Sequence, residues 1–483
     1  MTAFRSRLSA AAALVSLLLA ATPVTAMQSA TPVAAMQPAP ALDTLRIAAA
    51  FQAEFDATAA PGAAIAVVQD GRIVFSRALG VRNAETGDSM TVASLVRIGS
   101  VTKSFTGLTA ALLSIDGRLD LQAPLAAILP TLSPALGGAS LHQLLTHTGG
   151  MADEAAGNGS HDDDALERRV SAWGPAQRFA DPGDVYSYSS PGYWLAGYTL
   201  QQATGTPYAD LVTERVLAPL GMLSSTFRPL DALTRSLAVD HRVVSGKATV
   251  LRPFQDDAST WPSGSLFSNV TDLARYAIVL MDDGRIDGAP VLPPAAVRLM
   301  TAAHERLEDD ATCGYSYGLS VCDREALGTV SHYGFRVGSG AVFTLAPGRR
   351  VAVIILANRN GGIFRRTESE VLRQLRPVNP SQNAAPEEPV APAMPVPATS
   401  ADQARLVGHW VNGTIALEVA VRQDSLVYRY AGTEQRAIVP SPGVLRVLDA
   451  TGSVVQQFRL VRGTRTGRDY LHDGLSGFAR REH

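Results

Sequence analysis

A serine and a lysine three positions apart are the residues of this chain best suited to covalent chemistry. Ser100 and Lys103 precede an amphipathic segment, Phe105–Ile115, which Gly117 is placed to end. Positions i and i+3 share one face of a helix, so the lysine amine can reach the serine hydroxyl. A lysine whose pKa is lowered by burial can accept the serine proton. The pattern also arises by chance at helix starts, so its interpretation depends on partners elsewhere in the chain.

A tyrosine-x-serine pattern is the first partner. Tyr188 and Ser190 follow an Asp-Pro-Gly turn signal at 181–183, which favours a loop. A loop can aim a phenol and a hydroxyl into a cleft, and tyrosine can act as a general acid or base when nearby cations lower its pKa. We interpret Tyr188 as functional and its aromatic neighbours Tyr186 and Tyr193 as packing residues.

A histidine-x-glycine pattern is the second partner. His332 and Gly334 precede two strand-like runs, Ala341–Leu345 and Val351–Ala357. On an edge strand, this pattern offers a polar side chain and a close backbone approach to a substrate. The three patterns occur in the order S-x-x-K, Y-x-S and H-x-G, with separations of 88 and 144 residues between their first members.

The joint pattern resembles the serine β-lactamase and penicillin-binding-protein superfamily, specifically its class C-like branch. Esterases, D-aminopeptidases and D-alanyl-D-alanine carboxypeptidases also belong to that branch. Three further segments are similar to the family, namely Leu141–Met151, Ala218–Met222 and Pro262–Tyr276. The likeness extends from Leu42 to Leu375.

The resemblance implies a role for each residue of the three patterns. Ser100 would be the acylated nucleophile, and Lys103 and Tyr188 would share the general-base and general-acid work. The backbone N–H groups of Ser100 and Phe335 would form the oxyanion hole, while Ser190 would position substrate or assist proton transfer. The substrate-binding and oxyanion residues are therefore expected to be Ser190, His332, Gly334 and Phe335.

Two departures from the family pattern narrow the expected substrate. The second motif of the family is more commonly Tyr-x-Asn, and Ser190 takes the place of that asparagine here. A serine hydroxyl offers fewer hydrogen-bonding groups to a substrate amide than an asparagine side chain does. His332 stands where β-lactamases and carboxypeptidases usually carry a lysine, which supplies a permanent charge for a substrate carboxylate. Histidine is mostly neutral near pH 7. These features favour esterase or peptidase activity over β-lactamase activity.

A Gly-x-Ser-x-Gly pattern around Ser316 is an alternative nucleophile motif, which requires a strand before the serine and a helix after it. Alternating side chains instead predict one continuous strand over Tyr315–Val321, so we do not expect Ser316 to be the nucleophile.

Such a strand would separate Cys313 from Cys322 by roughly 25–30 Å, at about 3.3 Å per residue. A disulfide requires Cα atoms within about 7 Å. Either the strand prediction is wrong or the disulfide is absent, although an oxidising compartment would permit one. We favour the second alternative and expect free cysteines.

Composition and motif content limit the partners of the protein. The net charge is −2 and no basic run occurs, which argues against nucleic acid as a partner. The sequence contains no residues at metal-ligand spacing, no glycine-rich phosphate loop and no dinucleotide fingerprint. We therefore expect no cofactor and no metal. His142 and His147 flank an apolar helix end and are interpreted as structural. The expected partner is a small-molecule or peptide substrate, including cell-wall peptides.

Composition also divides the chain into segments. Arg5 and Arg7 are followed by the apolar run Ala10–Ala21 and by small residues at Val24–Ala26, which is typical of a secretory signal peptide and too short for a stable membrane span. We therefore expect a periplasmic or secreted protein. The expected segments are a signal peptide (1–26), a disordered segment (27–41), a hydrolase domain (42–376), a Pro-rich linker (377–400) and a small barrel (401–483).

Hydrophobic periodicity predicts an α/β (α+β) fold. An Asp-Gly turn joins the strand-like runs Ala63–Val68 and Ile73–Ala78 into a hairpin, and strands return from Tyr315 onwards. Strands at both ends of a helical middle imply one antiparallel sheet flanked by helices, with a helical lobe, as in the β-lactamase/transpeptidase-like fold. After the linker, short alternating strands predict a small antiparallel β-barrel, similar to the lipocalin-like barrels that follow D-aminopeptidase-type domains.

The sequence thus predicts a secreted serine hydrolase that cleaves an ester or amide bond through an acyl-enzyme on Ser100. Small D-amino-acid peptides or amides and small esters are the expected substrates. The alternative is a β-lactamase or a D-Ala-D-Ala carboxypeptidase that acts on cell-wall peptides. A non-catalytic protein that binds peptidoglycan fragments in the same cleft is the alternative from another class.

Overall fold

A computed structural model describes most of the chain. It covers residues 40–154, 157–307, 310–324, 327–359, 361, 364–376, 399–423 and 425–481. The predicted signal peptide (1–26) lies outside the described residues, as do almost all of the segment 27–41 and of the linker 377–400. The described residues belong to one compact unit. None of the helices among them is both long enough and apolar enough to cross a membrane.

The strands that precede the linker are, in chain order, β1 (Gly62–Gln69), β2 (Arg72–Gly80), β3 (Val96–Arg97), β4 (His241–Val244), β5 (Lys247–Val250), β6 (Phe267–Ser268), β7 (Arg285–Ile286), β8 (Ala289–Pro290), β9 (Glu305–Leu307), β10 (Asp310–Tyr315), β11 (Ser320–Arg324), β12 (Leu327–Arg336), β13 (Ser339–Ala346) and β14 (Val351–Ala357). Eight of them form one antiparallel sheet in the order β2-β1-β14-β13-β12-β11-β10-β9. The other strands form the small pairs β3–β6, β4–β5 and β7–β8.

The helices of the same part of the chain are α1 (Thr44–Thr58), α2 (Thr102–Ile115), α3 (Pro134–Gly137), α4 (Leu141–Leu145), α5 (Ala165–Ser171), α6 (Ser190–Thr204), α7 (Tyr208–Val212), α8 (Pro229–Leu233), α9 (Trp261–Gly264), α10 (Val270–Met281), α11 (Pro294–Thr301) and α12 (Arg365–Gln374). Short 3₁₀ turns cover Gly99–Val101, Leu125–Ala127, Pro175–Gln177, Ala258–Thr260 and Pro347–Arg349, and a π-helical turn covers Thr213–Leu217.

The central strands β1, β13 and β14 of the main sheet are buried on both faces. Along β1, Ala64, Ala66 and Val68 join the core that contains α2 and α10, whereas Ile65 and Val67 join the core beneath α1 and α12. This alternation follows from the two-residue period of a strand, which turns successive side chains to opposite faces. The predicted arrangement of an antiparallel sheet flanked by helices, with a helical lobe, is confirmed.

The hairpin between β1 and β2 is also confirmed. Asp70 and Gly71 both have positive φ angles, of 50° and 79°. A two-residue turn of this kind matches the twist of the flanking strands, and Asp-Gly is among its preferred sequences.

The continuous strand predicted over Tyr315–Val321 is wrong, and so is the prediction of free cysteines. The chain reverses between β10 and β11, where Gly318 has a φ of 91°. This hairpin places Cys313 directly opposite Cys322, with Cα atoms 4.1 Å apart, and the two form a disulfide. The alternation continued through the turn because the turn side chains of Tyr317 and Leu319 are themselves buried.

The C-terminal part begins with helix α13 (Ser400–Leu406) and forms a closed antiparallel barrel, as predicted. Its strands are β15 (Gly408–Asn412), β16 (Ile415–Arg422), β17 (Ser425–Tyr430), β18 (Thr433–Ser441), β19 (Val444–Leu448), β20 (Val454–Arg462), β21 (Asp469–His472) and β22 (Gly477–Arg480). The barrel interior is filled by apolar side chains, among them Trp410, Leu445 and Phe458.

Candidate active site

Ser100 lies in the 3₁₀ turn that leads into the central helix α2, with Lys103 in the first turn of that helix. The turn packs directly against β12. A Cβ atom added to Gly99, whose φ is 52°, would lie 2.6 Å from the backbone nitrogen of Phe335, and one added to Gly334 would lie 1.9 Å from the carbonyl oxygen of Ile98. Glycine is therefore required at both positions for the two segments to approach.

The Lys103 side chain is completely buried, and its amine is surrounded by hydroxyl and carbonyl oxygens. Its Nζ atom lies 3.3 Å from Oγ of Ser100, 3.3 Å from Oγ of Ser190 and 2.9 Å from the carbonyl oxygen of Ser263. Burial lowers the pKa of Lys103 to about 7, and the charge of Asp153 opposes this effect. A substantial fraction of the amine is therefore neutral near pH 7 and able to accept a proton.

Tyr188 contacts the same serine. Its ring lies 4.8 Å from Nζ of Lys103. Burial raises the pKa of the phenol, although a hydrogen bond with Ser100 acts in the opposite direction. The charge of Asp153 raises this pKa further. The pKa of Tyr188 is therefore raised and not lowered as we expected, and the phenol is protonated at neutral pH. Tyr188 is therefore suited to donate a proton or a hydrogen bond rather than to start as a base.

The loop that carries Tyr188 packs against His147. The His147 ring lies 4.2 Å from the Tyr188 ring, and its Nδ1 atom accepts a hydrogen bond of 3.0 Å from the backbone N–H of Ser189. Burial, followed by the charges of Lys103 and His332, keeps the pKa of His147 well below its usual value. His147 is therefore a neutral packing residue directly behind the site, in agreement with its structural interpretation.

His332 lies on β12 and is engaged in two internal hydrogen bonds. Its Nδ1 atom lies 2.7 Å from the carbonyl oxygen of Tyr333, so Nδ1 carries the proton, and Nε2 accepts a hydrogen bond of 3.0 Å from the Tyr315 hydroxyl. Burial and the nearby charge of Lys103 lower the pKa of His332 to about 3. The side chain is therefore neutral throughout the physiological pH range.

A cavity of about 370 Å³ opens above the Lys103–Ser100 pair. Among the predicted site residues, Ser100, Ser190 and Phe335 line this cavity, and the Phe335 side chain is half exposed. Four predicted site residues do not line the described part of the cavity wall, namely Lys103, Tyr188, His332 and Gly334. Lys103 contacts the wall residues Ser100 and Ser190, and Gly334 packs against Gly99.

The sequence analysis missed several residues that line this cavity, including the four that follow. Glu154, Trp194 and Arg336 lie on its wall. Ser263 also lies there, where its carbonyl oxygen accepts from Lys103 and its hydroxyl accepts a hydrogen bond of 2.7 Å from the Trp194 indole. A signal existed for three of them, because Trp194, Ser263 and Arg336 lie inside or directly beside the segments that carry the family resemblance.

Ser316, the alternative nucleophile, is not among the residues that line this cavity. It lies in the turn between β10 and β11, is fully buried, and donates a hydrogen bond of 2.9 Å to the carbonyl oxygen of Leu299. No helix follows it, since β11 begins at Ser320.

Comparison with known proteins agrees with this geometry. The family model described as Beta-lactamase matches residues 47–377. The chain belongs to the beta-lactamase family. It is 30% identical over 325 residues to penicillin-binding protein 4 of Amycolatopsis lactamdurans, a match that covers 65% of this chain and 84% of that protein. It is also 24% identical over 318 residues to protein flp of Staphylococcus aureus strain MW2, covering 62% of this chain and 60% of that protein.

Solved structures show the same fold. The structure of SurE superposes with a TM-score of 0.73 at 23% identity and covers 90% of this chain and 98% of its own; SurE has also been solved with D-Leu. The D-alanine carboxypeptidase AmpC from Burkholderia cenocepacia has a TM-score of 0.57 at 23% identity and covers 69% of this chain and 99% of its own.

Proposed function

We propose that this member of the beta-lactamase family is a serine hydrolase that cleaves an ester or amide bond through an acyl-enzyme on Ser100. The observation that carries the proposal is the position of the buried Lys103 amine, 3.3 Å from Oγ of Ser100, a residue that lines an open cavity. An adjacent base of matched pKa is what an otherwise weak serine nucleophile requires.

The proposed reaction proceeds in two halves. Lys103 accepts the Ser100 proton while Oγ forms a bond to the substrate carbonyl carbon. As the tetrahedral intermediate collapses, the bond to the leaving alcohol or amine breaks, and that group takes the proton through the Tyr188 hydroxyl. Water then attacks the acyl-enzyme by the reverse route, giving the free acid and restoring Ser100.

The proposed oxyanion hole consists of the backbone N–H groups of Ser100 and Phe335. The close approach of the Ser100 turn to β12, which Gly99 and Gly334 permit, supports this assignment. Fixed donors of this kind contribute strongly, since removal of one costs about 2.7–4 kcal/mol of transition-state stabilisation.

The proposed substrates are small D-amino-acid peptides or amides, or small esters. A neutral His332, held by Tyr315 and Tyr333, supplies no permanent charge at the position of the usual lysine. The charged side chains of Glu154 and Arg336 on the cavity wall suit a polar substrate such as a short peptide. A similar fold has been solved with D-Leu, and another belongs to a D-alanine carboxypeptidase, which agrees with a D-amino-acid substrate.

The second candidate function is that of a D-Ala-D-Ala carboxypeptidase or β-lactamase. It is favoured by one specific observation, the presence of the Arg336 guanidinium on the same cavity wall as Ser100. Such a cation could take the role of the missing lysine, because guanidinium and carboxylate groups pair in a bidentate geometry.

A substrate panel tests these assignments. The purified protein and its Ser100→Ala variant would be incubated with an uncharged ester, a D-alanine amide, a peptide that ends in D-Ala-D-Ala, and a chromogenic cephalosporin. We expect turnover of the ester or the amide by the native protein and none by the variant. Equal turnover by both proteins, or none by either, would overturn the proposal.

We also propose that the protein is exported to the periplasm or the medium after cleavage near Ala26, and that residues 42–376 and 401–483 are separate domains joined by the linker 377–400. N-terminal sequencing of the mature protein tests the first statement. Limited proteolysis tests the second, and we expect a first cut within 377–400.

A further inference from the structure

The loop that carries Tyr188 has no regular secondary structure between residues 185 and 189. A segment without a helical or strand ladder must obtain its hydrogen bonds from neighbouring elements. One partner lies in the helical lobe, where the N–H of Ser187 donates a hydrogen bond of 2.8 Å to the carbonyl oxygen of His147. The Nδ1 atom of the same His147 accepts a hydrogen bond of 3.0 Å from the N–H of Ser189. Further partners of this loop belong to the C-terminal barrel.

The turn between β21 and β22 of the barrel contacts the loop on both sides of Ser187. The N–H of Tyr188 donates a hydrogen bond of 2.8 Å to the carbonyl oxygen of Leu475. Nε2 of His472 lies 2.9 Å from the carbonyl oxygen of Tyr186. Because Nδ1 of His472 accepts a hydrogen bond from the N–H of Gly474, Nε2 carries the proton and donates it to Tyr186.

Asn412, at the end of β15, joins the barrel to two parts of the site. Its side-chain nitrogen donates to Oγ of Ser187 at 3.3 Å and to the carbonyl oxygen of Gly477 at 2.8 Å. Its side-chain oxygen accepts a hydrogen bond of 2.8 Å from the N–H of Asp153, whose charge acts on Lys103. Asn412 and Ser187 are both almost fully buried, so water does not readily replace these bonds.

Asp184 anchors the start of the same loop. Its carboxylate accepts hydrogen bonds of 2.6 Å from the Tyr470 hydroxyl, 2.6 Å from the Thr466 hydroxyl and 2.8 Å from the backbone N–H of Arg465. Burial raises the pKa of Asp184, but these hydrogen bonds outweigh burial and leave the pKa below its usual value. The loop is thus fixed at its beginning and directly beside Tyr188.

We propose that the barrel is a positioning element of the active site, which holds the loop in the place where the Tyr188 hydroxyl meets Ser100. Within the described part of the chain, the hydrogen bonds that we find between barrel and hydrolase fall on Asp153 and residues 182–188. A merely stabilising appendage would have no reason to concentrate its polar contacts on one catalytic loop. The inference rests on the proposed function of Ser100 and Tyr188.

The expected effect follows from the sensitivity of a reaction to geometry. A misplacement of about 1 Å in a reacting group can reduce the rate by about 100-fold. Loss of the barrel contacts should therefore slow attack by Ser100 while the cavity that receives the substrate stays intact, since none of its described wall residues belongs to the barrel.

The test is the rate at which a fluorophosphonate labels Ser100 in full-length protein, since this rate does not depend on knowing the substrate. The loop contacts are removed in Asn412→Leu and in His472→Leu. His472→Gln retains a side-chain N–H near the position of Nε2 and serves as the conservative rescue. Leu445→Ala creates a cavity in the barrel core, away from the loop, and serves as the stability control.

We expect labelling of Asn412→Leu and His472→Leu to be slowed about 10- to 100-fold, whereas His472→Gln should be labelled at close to the native rate. Leu445→Ala should lose thermal stability, but below its unfolding temperature it should be labelled at the native rate. Labelling at the native rate in both leucine variants would overturn the inference, as would an equal loss in Leu445→Ala. If the native protein is not labelled at Ser100, it is the proposed function that fails.

Discussion

The amine of Lys103, in the first turn of the buried helix α2, lies 3.3 Å from the hydroxyl of Ser100 in the 3₁₀ turn directly before that helix. The same burial lowers the pKa of Lys103 to about 7. Removal of the amine from water thus creates both the contact with the serine and the protonation state in which the amine can act as a base.

The pH dependence of acylation follows from this relationship. Only the neutral amine accepts a proton, so kcat/KM should fall about tenfold per pH unit well below pH 7 and become constant above about pH 8. His332, with a pKa of about 3, stays neutral over this range and adds no second limb. Initial rates measured between pH 5 and 9 check the prediction.

Lys103→Arg is the matched control for the pH profile, because a guanidinium remains charged over the whole range. We expect its rate to fall by about 10²–10⁴-fold, the usual contribution of a general base, with no rising limb near pH 7. If the rise in rate near pH 7 persists unchanged in this variant, the group that titrates is not Lys103.

We expect the Tyr188 hydroxyl to contribute to the reaction rather than to folding. Tyr188→Phe keeps the ring that packs 4.2 Å from His147 and removes the group that bonds to Ser100. We expect acylation to slow about 100-fold and the thermal unfolding midpoint to change little. Single-turnover kinetics and calorimetry measure the two quantities.

Tyr193→Phe is the control for that experiment. Tyr193 is also a buried tyrosine near Lys103, but its hydroxyl donates to the carbonyl oxygen of Leu145 at 2.7 Å. Its removal should cost about 1 kcal/mol of stability with little effect on rate. The reverse result, in which Tyr193→Phe is the slower enzyme, would contradict the assignment of Tyr188.

We expect Arg336 to determine the response to charged substrates. Its guanidinium lies on the cavity wall; burial lowers its pKa, and the nearby charges of Asp256, Asp240 and Asp257 oppose this effect. We expect Arg336→Gln to raise KM about tenfold for a peptide with a free carboxylate, as the loss of a charge-assisted hydrogen bond implies. KM for the matching peptide amide should not change, and an equal rise for both peptides would exclude a direct contact.

The disulfide between Cys313 and Cys322 stabilises the hairpin beneath the site. The double variant Cys313→Ala/Cys322→Ala should lose up to about 3 kcal/mol of unfolding free energy, the chain-entropy value for a short closed loop. Chemical denaturation measures this loss. Thiol titration of the unreduced, denatured native protein provides the direct check, and a finding of two free thiols would contradict the structure.

The parts of this structure that could be predicted from sequence are those with local signals. The Asp70-Gly71 turn, the helix after Ser100 and the alternation of the barrel strands each depend on neighbouring residues, and each was predicted correctly. The expected amphipathic character of that helix was wrong, because other elements bury all of its faces from Thr102 to Leu113. The hairpin at Gly318 was not, because buried turn residues continued the strand alternation.

The site itself was only partly predictable. The motifs identified Ser100 and Lys103, whose spacing is local, but the protonation state of Tyr188 depends on burial by residues far away in sequence. The bonds from Asn412 to Ser187 and from His472 to Tyr186 connect positions 225 and 286 residues apart. No pattern within a single chain segment could reveal such contacts.

The most direct test of the central proposal is the identification of the residue that a fluorophosphonate modifies, by intact mass followed by peptide mapping. We predict one adduct per chain, located on Ser100, and its loss in Ser100→Ala. An adduct on Ser316, or folded protein that remains unmodified, would contradict the assignment of Ser100 as the activated nucleophile.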